Sequence, residues 1–503
     1  VSEIEETSES SADRPDGRRP NSPPWSGGWT GRVAFAGGPD GFAYHPGQVL
    51  VPEGRDALAT ALAVARRQFP DAPITDDPLD GSSGYTRLDG VPDVLRLVGA
   101  VRRAGVMAQP NHVFFAHCGD CCCGPHPAQL WGGRCGSIGG SPAYASSVEA
   151  RPAYASAVGA SPAYASPAYA SPAYASPAYA SPAYGSPAYA SPAYASDEQA
   201  TGHRHSSARP ALEPYIGIAG ARLDRARAAM KAGPPAAGRV EVVILDTGLA
   251  GGSFAPTALD TLVIAVPYPD DEPDHDADTF LDPAAGHGTF IAGLIQQLAP
   301  GTAVAVRRVL HAEGDGDEVQ IAQAMDALPA PPAAGALLNL SFGGYVMDHP
   351  GVLGDAVARA QDRGYVVVAS AGNDGTCRPQ YPAVLPGVIA VGAVGPNGPA
   401  PFTNYGSFVR ACAPGVDLVS TFFDRWNGGE PAADPGSGNA HDPDEFAGWA
   451  CWSGTSFSCP VVVGALAHEM EINGVTAAEA VTRIIDNPSL LRIPGLGTVV
   501  DVL

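Results

Sequence analysis

From residue 210 to the end, runs rich in Val, Ile and Leu alternate with segments whose apolar residues recur at helical spacing. RVEVVILD, TAVAVRRVL, GALLNLSF, YVVVASAG and GVIAVGAV read as strands. HGTFIAGLIQQLAP, EVQIAQAMDAL, VLGDAVARAQDRG and TSFSCPVVVGALAHEM read as helices. Strands apolar on both faces must be covered on both faces, so the pattern predicts an α/β fold with a mostly parallel central sheet. In such sheets the usable crevice lies at the carboxyl ends of the strands.

The chain ahead of this part divides by composition. Residues 1–38 are rich in Ser, Glu, Pro and Gly without an apolar period, which predicts a disordered acidic leader. Residues 39–117 predict a small α+β domain. GQVLVP is a strand, ALATALAVARRQF and VPDVLRLVGAVRRAG are helices, and VMAQPNHVFF is a closing strand interrupted at Pro110. Residues 118–140 hold Cys118, Cys121, Cys122, Cys123 and Cys135. Zinc held by Cys118, Cys121 and His117 or His126, disulfides involving Cys135, and free thiols all stay open, although the second CxxC of a zinc ribbon is absent. In residues 141–209 the tripeptide PAY occurs nine times, the last seven at a period of five. Proline at that density removes N–H donors and fixes φ, so neither helix nor central strand can form. The tract reads as an extended linker, with a recognition tract of evenly presented tyrosines as the alternative.

Charge narrows the partners. The 503 residues carry 52 acidic and 29 basic side chains, a formal net charge of −23. Affinity for phosphate grows with Lys and Arg contacts, so nucleic acid and anionic lipid are poor partners. No run of about 18 apolar residues predicts a membrane span. The opening VSEIEETSESSADRPDG lacks the apolar core of a secretory signal, which favours the cytoplasm over secretion. The chain reads as a monomer.

Four polar residues sit at strand ends or helix starts. Asp246 ends VVILD before Thr-Gly, and His287 opens a helix between two glycines. Asn373 follows the strand YVVVASAG, and Ser456 opens a helix after Gly454 and Thr455. Singly, these are ordinary turn, core and cap residues. Together they make a chemistry. A serine hydroxyl needs an imidazole to take its proton, and the imidazole needs a carboxylate to fix its tautomer. A helix N-terminus and a side-chain amide supply donors for a developing oxyanion.

In the order Asp, His, Asn, Ser, these segments resemble the subtilisin-like serine peptidases over roughly residues 210–503. The resemblance implies a three-layer subtilisin-like fold and a serine endopeptidase working through an acyl-enzyme, with no cofactor required. It implies Asp246, His287 and Ser456 as catalytic triad and Asn373 as oxyanion donor. Ser341, Phe342 and Gly343 would line one side of the substrate cleft, and Ser370, Ala371 and Gly372 one pocket wall. Two departures stand out. After the nucleophile the chain reads Phe457, Ser458, Cys459, Pro460 and Val461 where the family usually has Met-Ala-Ala-Pro-His, keeping Gly454-Thr455-Ser456 and Pro460, and Phe342 replaces a frequent Leu, which would narrow the cleft. Cys459 is expected to pack as a small buried hydrophobe, and spacing alone does not pair it with Cys377, Cys412 or Cys451.

The 39–117 domain is similar to the family's N-terminal inhibitor-type prodomains in size, element order and its Pro-Asn-His-Val ending. That implies a zymogen, with its own prodomain as partner in cis, a tail after Phe115 lying along the substrate groove, and self-processing between the two domains. The other partner would be a protein or peptide substrate. His275, in PDDEPDHDAD, lies among acidic residues that suggest Ca2+, but no ordered ligand spacing supports it; the stretch reads as a solvated loop, and no metal ligand is assigned. Two further readings remain: a repeat-bearing interaction protein with the α/β part as scaffold, and a protease that trims its own PAY segment or a peptide precursor.

Overall fold

In the computed structural model the described residues are 32–37, 41–79, 83–116, 209–210, 240–251, 271–275, 281–424 and 446–500. The expectations for the leader up to residue 31, the cysteine cluster and the PAY tract lie outside them.

The N-terminal unit contains β1 (Ala34–Ala36), β2 (Phe42–Pro52), α1 (Arg55–Gln68), β3 (Thr75–Pro78), β4 (Tyr85–Asp89), α2 (Val94–Arg103) and β5 (Gln109–Ala116). The Asp93 carboxylate caps α2 by accepting from the Arg96 N–H at 3.0 Å. Ala61, Val64 and Ala65 of α1, and Leu97, Val98 and Val101 of α2, bury one face of each helix against Val49, Val51 and Leu88 of the sheet. Three features differ from expectation. Ala34–Ala36, read as part of the disordered leader, form β1, because Phe35 and Ala36 pair antiparallel with Ala43 and Phe42 at the start of β2. The hairpin β3–β4 was not legible, because TDDP is exposed along its whole length and gives no apolar alternation. Pro110 does not interrupt β5. The ladder to β2 slips register between Tyr44 and Val49, and Pro110 pairs opposite Val49 at that irregularity, a place where a missing N–H is tolerated.

The C-terminal part contains β6 (Arg209–Pro210), β7 (Glu241–Asp246), α3 (His287–Leu298), β8 (Ala303–Arg308), β9 (Asp315–Asp317), α4 (Glu318–Asp326), β10 (Ala336–Leu340), β11 (Phe342–Gly343), α5 (Gly351–Asp362), β12 (Tyr365–Ser370) and β13 (Ile389–Gly395). It continues with β14 (Gly398–Pro399), β15 (Val409–Pro414), β16 (Leu418–Thr421), β17 (Trp449–Trp452), α6 (Thr455–Asn473), α7 (Ala477–Ile484), β18 (Arg492–Ile493) and β19 (Gly497–Val499). The central sheet runs β18-β19-β15-β13-β12-β10-β7-β8, and from β19 to β8 every neighbouring pair is parallel. This is the expected α/β, mostly parallel architecture. The apolar runs of β7, β10 and β12 are buried as anticipated. Helix α6 packs across β10, β12, β13 and β15, with α3 and α7 against it, and α5 packs on β12 with α4 beside it. The chain leaves β7 toward β8 on one side, while β10 lies on the other. The sheet order therefore reverses at the carboxyl end of β7, the place where such sheets open a crevice.

The N-terminal sheet and the C-terminal part share strands. β5 pairs with β2 over Gln109–His112, and its last residues run antiparallel between β9 on one edge and β11 on the other, so that Phe115 faces both Asp315 and Gly343 and Ala116 faces Phe342. Beneath this junction the wholly buried Glu318 carboxylate accepts from His112 Nδ1 at 2.7 Å, Gln109 Nε2 at 3.0 Å and the Leu353 N–H at 3.1 Å. The Met347 N–H donates to His112 Nε2 at 3.2 Å, so this imidazole carries its proton on Nδ1. Arg102 pairs with Asp348, and Arg32 with Asp315 at 3.2 Å, around the rim. No helix among the described residues is long and apolar enough to cross a membrane.

Candidate active site

Asp246 is the last residue of β7, and its backbone carbonyl is held by the N–H groups of Val309 and Leu310 at 2.8 and 3.3 Å. The next residue returns to its side chain, with the Thr247 N–H donating to Asp246 Oδ1 at 2.8 Å. The same oxygen accepts from His287 Nδ1 at 2.8 Å, with both side chains fully buried. A proton on Nδ1 leaves Nε2 as the acceptor nitrogen. That nitrogen is buried and has no hydrogen-bond partner among the described residues.

His287 opens α3 after Gly286, which sits at φ +76°, a conformation that favours glycine. A Cβ there would also fall 2.4 Å from the Phe422 ring. The Trp452 and Phe457 rings pack 5.6 and 5.2 Å from the imidazole, fixing its plane and shedding water. Phe457 is the residue after Ser456, which brings the start of α6 against His287.

Ser456 is the second residue of α6 and is fully buried. Four residues on stands Pro460, which has no N–H to give to the Ser456 carbonyl. Ser341 fills that place. Its hydroxyl donates to the Ser456 carbonyl at 2.8 Å, while the Ser456 hydroxyl donates to the Ser341 carbonyl at 2.8 Å. Asn339 Nδ2 supports the Ser341 hydroxyl at 2.9 Å. Ser456 is thus not hydrogen-bonded to His287 in this arrangement.

The Asn373 amide is divided in its use. Its Oδ1 accepts from the Thr455 N–H and hydroxyl at 3.0 and 2.8 Å, which turns the amide over the start of α6. Its Nδ2 is buried with no partner among the described residues. Gly372 sits at φ +110°, and a Cβ there would fall 2.2 Å from Asn404 Nδ2 and 2.3 Å from Gln380 Oε1. Ser370 ends β12, and Asn404 Nδ2 holds the Ala371 carbonyl at 3.0 Å. Ser341, Phe342 and Gly343 leave β10 for the short strand β11. Phe342 is wholly buried with β5 laid beside it.

Asp271 was not singled out by the sequence. Its acidic surroundings read as a solvated loop, yet Asp271 and Asp282 are buried. Asp271 Oδ2 accepts from Thr247 Oγ1 at 2.9 Å and the Gly286 N–H at 2.8 Å, joining the turn after Asp246 to the start of α3. Burial pushes its carboxyl up to about 7 against these two lowering bonds. The only signal for such a residue is spatial, because an acidic run does not say which member turns inward. Cys459 is buried as expected, which drives its thiol pKa up, and burial takes Cys412 up to about 12. Among the described residues, Cys377, Cys412, Cys451 and Cys459 form no disulfide with one another.

Residues 238–489, half of the chain, match the Subtilase family. A "Thermophilic serine proteinase" from Bacillus sp. (strain AK1) is 33% identical over 271 residues, covering 51% of this chain and 58% of that protein. "Subtilisin-like serine protease Pen ch 13" of Penicillium rubens is 32% identical over 40% of this chain and 47% of its own length. "Subtilisin Savinase" of Lederbergia lenta is 31% identical over 45% of this chain and 75% of its own length. The chain spans about half the length of the first two relatives.

Proposed function

Because the chain belongs to the subtilase family, we propose that it is a serine endopeptidase whose triad is Asp246, His287 and Ser456. The observation that carries the reading is the buried His287 Nδ1–Asp246 Oδ1 bond, with an unspent acceptor nitrogen on the opposite side of the ring. What separates this pair from the equally buried Glu318–His112 pair is the far nitrogen: His112 Nε2 is taken by the Met347 N–H, whereas His287 Nε2 is unspent. In the proposed reaction the Ser456 hydroxyl turns from the Ser341 carbonyl to His287 Nε2, gives up its proton and attacks the peptide carbonyl. Asn373 Nδ2 and the Ser456 N–H, one of the donors a helix start leaves unpaired, receive the oxyanion. Asp246 stabilises the imidazolium, which then protonates the leaving amine. Water releases the acyl group by the reverse use of His287. A fluorophosphonate should label Ser456, and His287→Ala should slow that labelling by about 10²–10⁴-fold, the usual share of a general base. Equal labelling in the variant rejects the reading.

The N-terminal unit is proposed as a prodomain that inhibits in cis. What supports it is β5, which adds an antiparallel strand to β11 beside Ser341 and occupies the edge an extended substrate would use. Self-processing would then fall in the segment after Ala116 and before Pro210. Mass spectrometry of wild type against Ser456→Ala tests this: two fragments are expected from wild type and one intact chain from the variant. An intact wild-type chain, or equal cleavage in both, rejects it.

A further inference from the structure

Outside the triad, three side chains capable of holding a metal converge from segments far apart in sequence. One ligand atom each of Glu272, His275 and His311 lies within 4.8 Å of the other two. The two imidazoles face each other with centroids 4.3 Å apart and planes 31° apart. His275 Nδ1 meets Glu272 Oε2 at 2.9 Å. We propose that Glu272, His275 and His311 form a binding site for one divalent transition-metal ion of the zinc class.

The donor set selects the ion. Calcium and magnesium take oxygen ligands, whereas two imidazoles and one carboxylate are a set that zinc binds, with a fourth position left to solvent. Glu272 and His275 keep 43% and 23% of their side-chain surface, so an ion and its water have access. The backbone holds the ligands in place. The His275 N–H donates to Asp282 Oδ2 at 2.6 Å, and the His311 N–H to the Asp315 carbonyl at 2.9 Å. Arg308 Nη1 pairs with Glu272 Oε1 at 2.7 Å, while Glu272 Oε2 is the oxygen that meets His275. Such outer partners orient ligands in metal sites.

The location gives the ion a structural consequence. Glu272 follows Asp271, which links Thr247 to Gly286, and His311 follows Leu310, whose N–H holds the Asp246 carbonyl. A bound ion would clamp together the two segments that seat Asp246 and the start of α3. It would also fix the turn that leads into β9, the strand paired with β5.

The test uses the full chain carrying Ser456→Ala, stripped with chelator, and Co2+ as the probe. The cysteine cluster is a rival binder, so its thiols are first alkylated. One equivalent of Co2+ should bind with a nitrogen- and oxygen-type visible spectrum and no sulfur-to-metal charge-transfer band. His275→Ala and His311→Ala should each lose that equivalent, and Glu272→Gln should weaken it by about tenfold or more. Zn2+ at a hundredfold excess over its Kd should raise Tm by about 5 °C, and Ca2+ should not. Should a histidine variant fail to fold, the alkylated parent chain decides alone. No Co2+ bound there, or Co2+ bound undiminished in both folded histidine variants, overturns the site. None of these readouts requires peptidase activity, so they stand apart from the fate of the triad.

Discussion

The hydroxyl of Ser456 points to the carbonyl of Ser341, 2.8 Å away, and Ser341 returns a bond of equal length to the carbonyl that Pro460 leaves unserved. The clasp lies beside β11, which β5 covers. If β5 holds the site closed, loosening it should expose the serine. Glu318→Leu removes the buried acceptor of His112 Nδ1 and Gln109 Nε2, leaving two donors unserved at the junction. Loss of one member of a buried pair costs about 3–5 kcal/mol. The initial rate of fluorophosphonate labelling of Ser456 should then rise at least tenfold over the intact parent chain. An unchanged rate, with circular dichroism showing a folded variant, would remove β5 as the gate.

Asn373 separates chemistry from structure within one side chain. Its Oδ1 holds Thr455, while its Nδ2 is unspent. Asn373→Asp retains an acceptor for Thr455 and loses the donor. The expected result is a fall in kcat of about 10²–10³-fold on a peptide substrate, with KM within a few-fold. Asn373→Ala should lose the same kcat and in addition about 1–2 kcal/mol of stability, because the Thr455 donors lose their acceptor. If Asn373→Asp kept full turnover, the oxyanion role would fall.

The sheet was legible because fully buried parallel strands must be apolar on both faces, and β7, β10 and β12 are. So were His287 and Ser456, since helix starts after glycine have a local signature. Edge strands escaped for the opposite reason. β3 is exposed along its length, and its identity comes only from pairing with β4. The buried strands β16 and β17, LVST and WACW, escaped for another reason, since four residues each are too few for a period to show. Asp271 escaped because the forces that bury it come from Thr247 and Gly286, 24 and 15 residues away. The clasp between Ser341 and Ser456 spans 115 residues and depends on Pro460, which the sequence shows as part of the motif after Ser456 without showing which hydroxyl takes the place of its missing N–H.

Glu471 sets a pH dependence of stability independent of the site. Thr302 donates to its Oε1 at 2.7 Å, while Oε2 is buried without a partner among the described residues. Burial raises its carboxyl pKa above the ordinary value, outweighing the Thr302 bond. The folded state therefore holds this proton more tightly than the unfolded chain does. Its stabilising contribution is complete below the unfolded carboxyl value, near pH 4, and is lost as pH rises through the folded one. Glu471→Gln keeps an oxygen for Thr302 and abolishes the titration. Relative to the parent chain, it should be more stable by about 1 kcal/mol at pH 8, with the advantage shrinking as pH falls toward 4. Thermal melts of both proteins across pH 4–8 check this. A Tm difference that stays constant over that range, or grows toward acid, would show that the carboxyl does not titrate against folding.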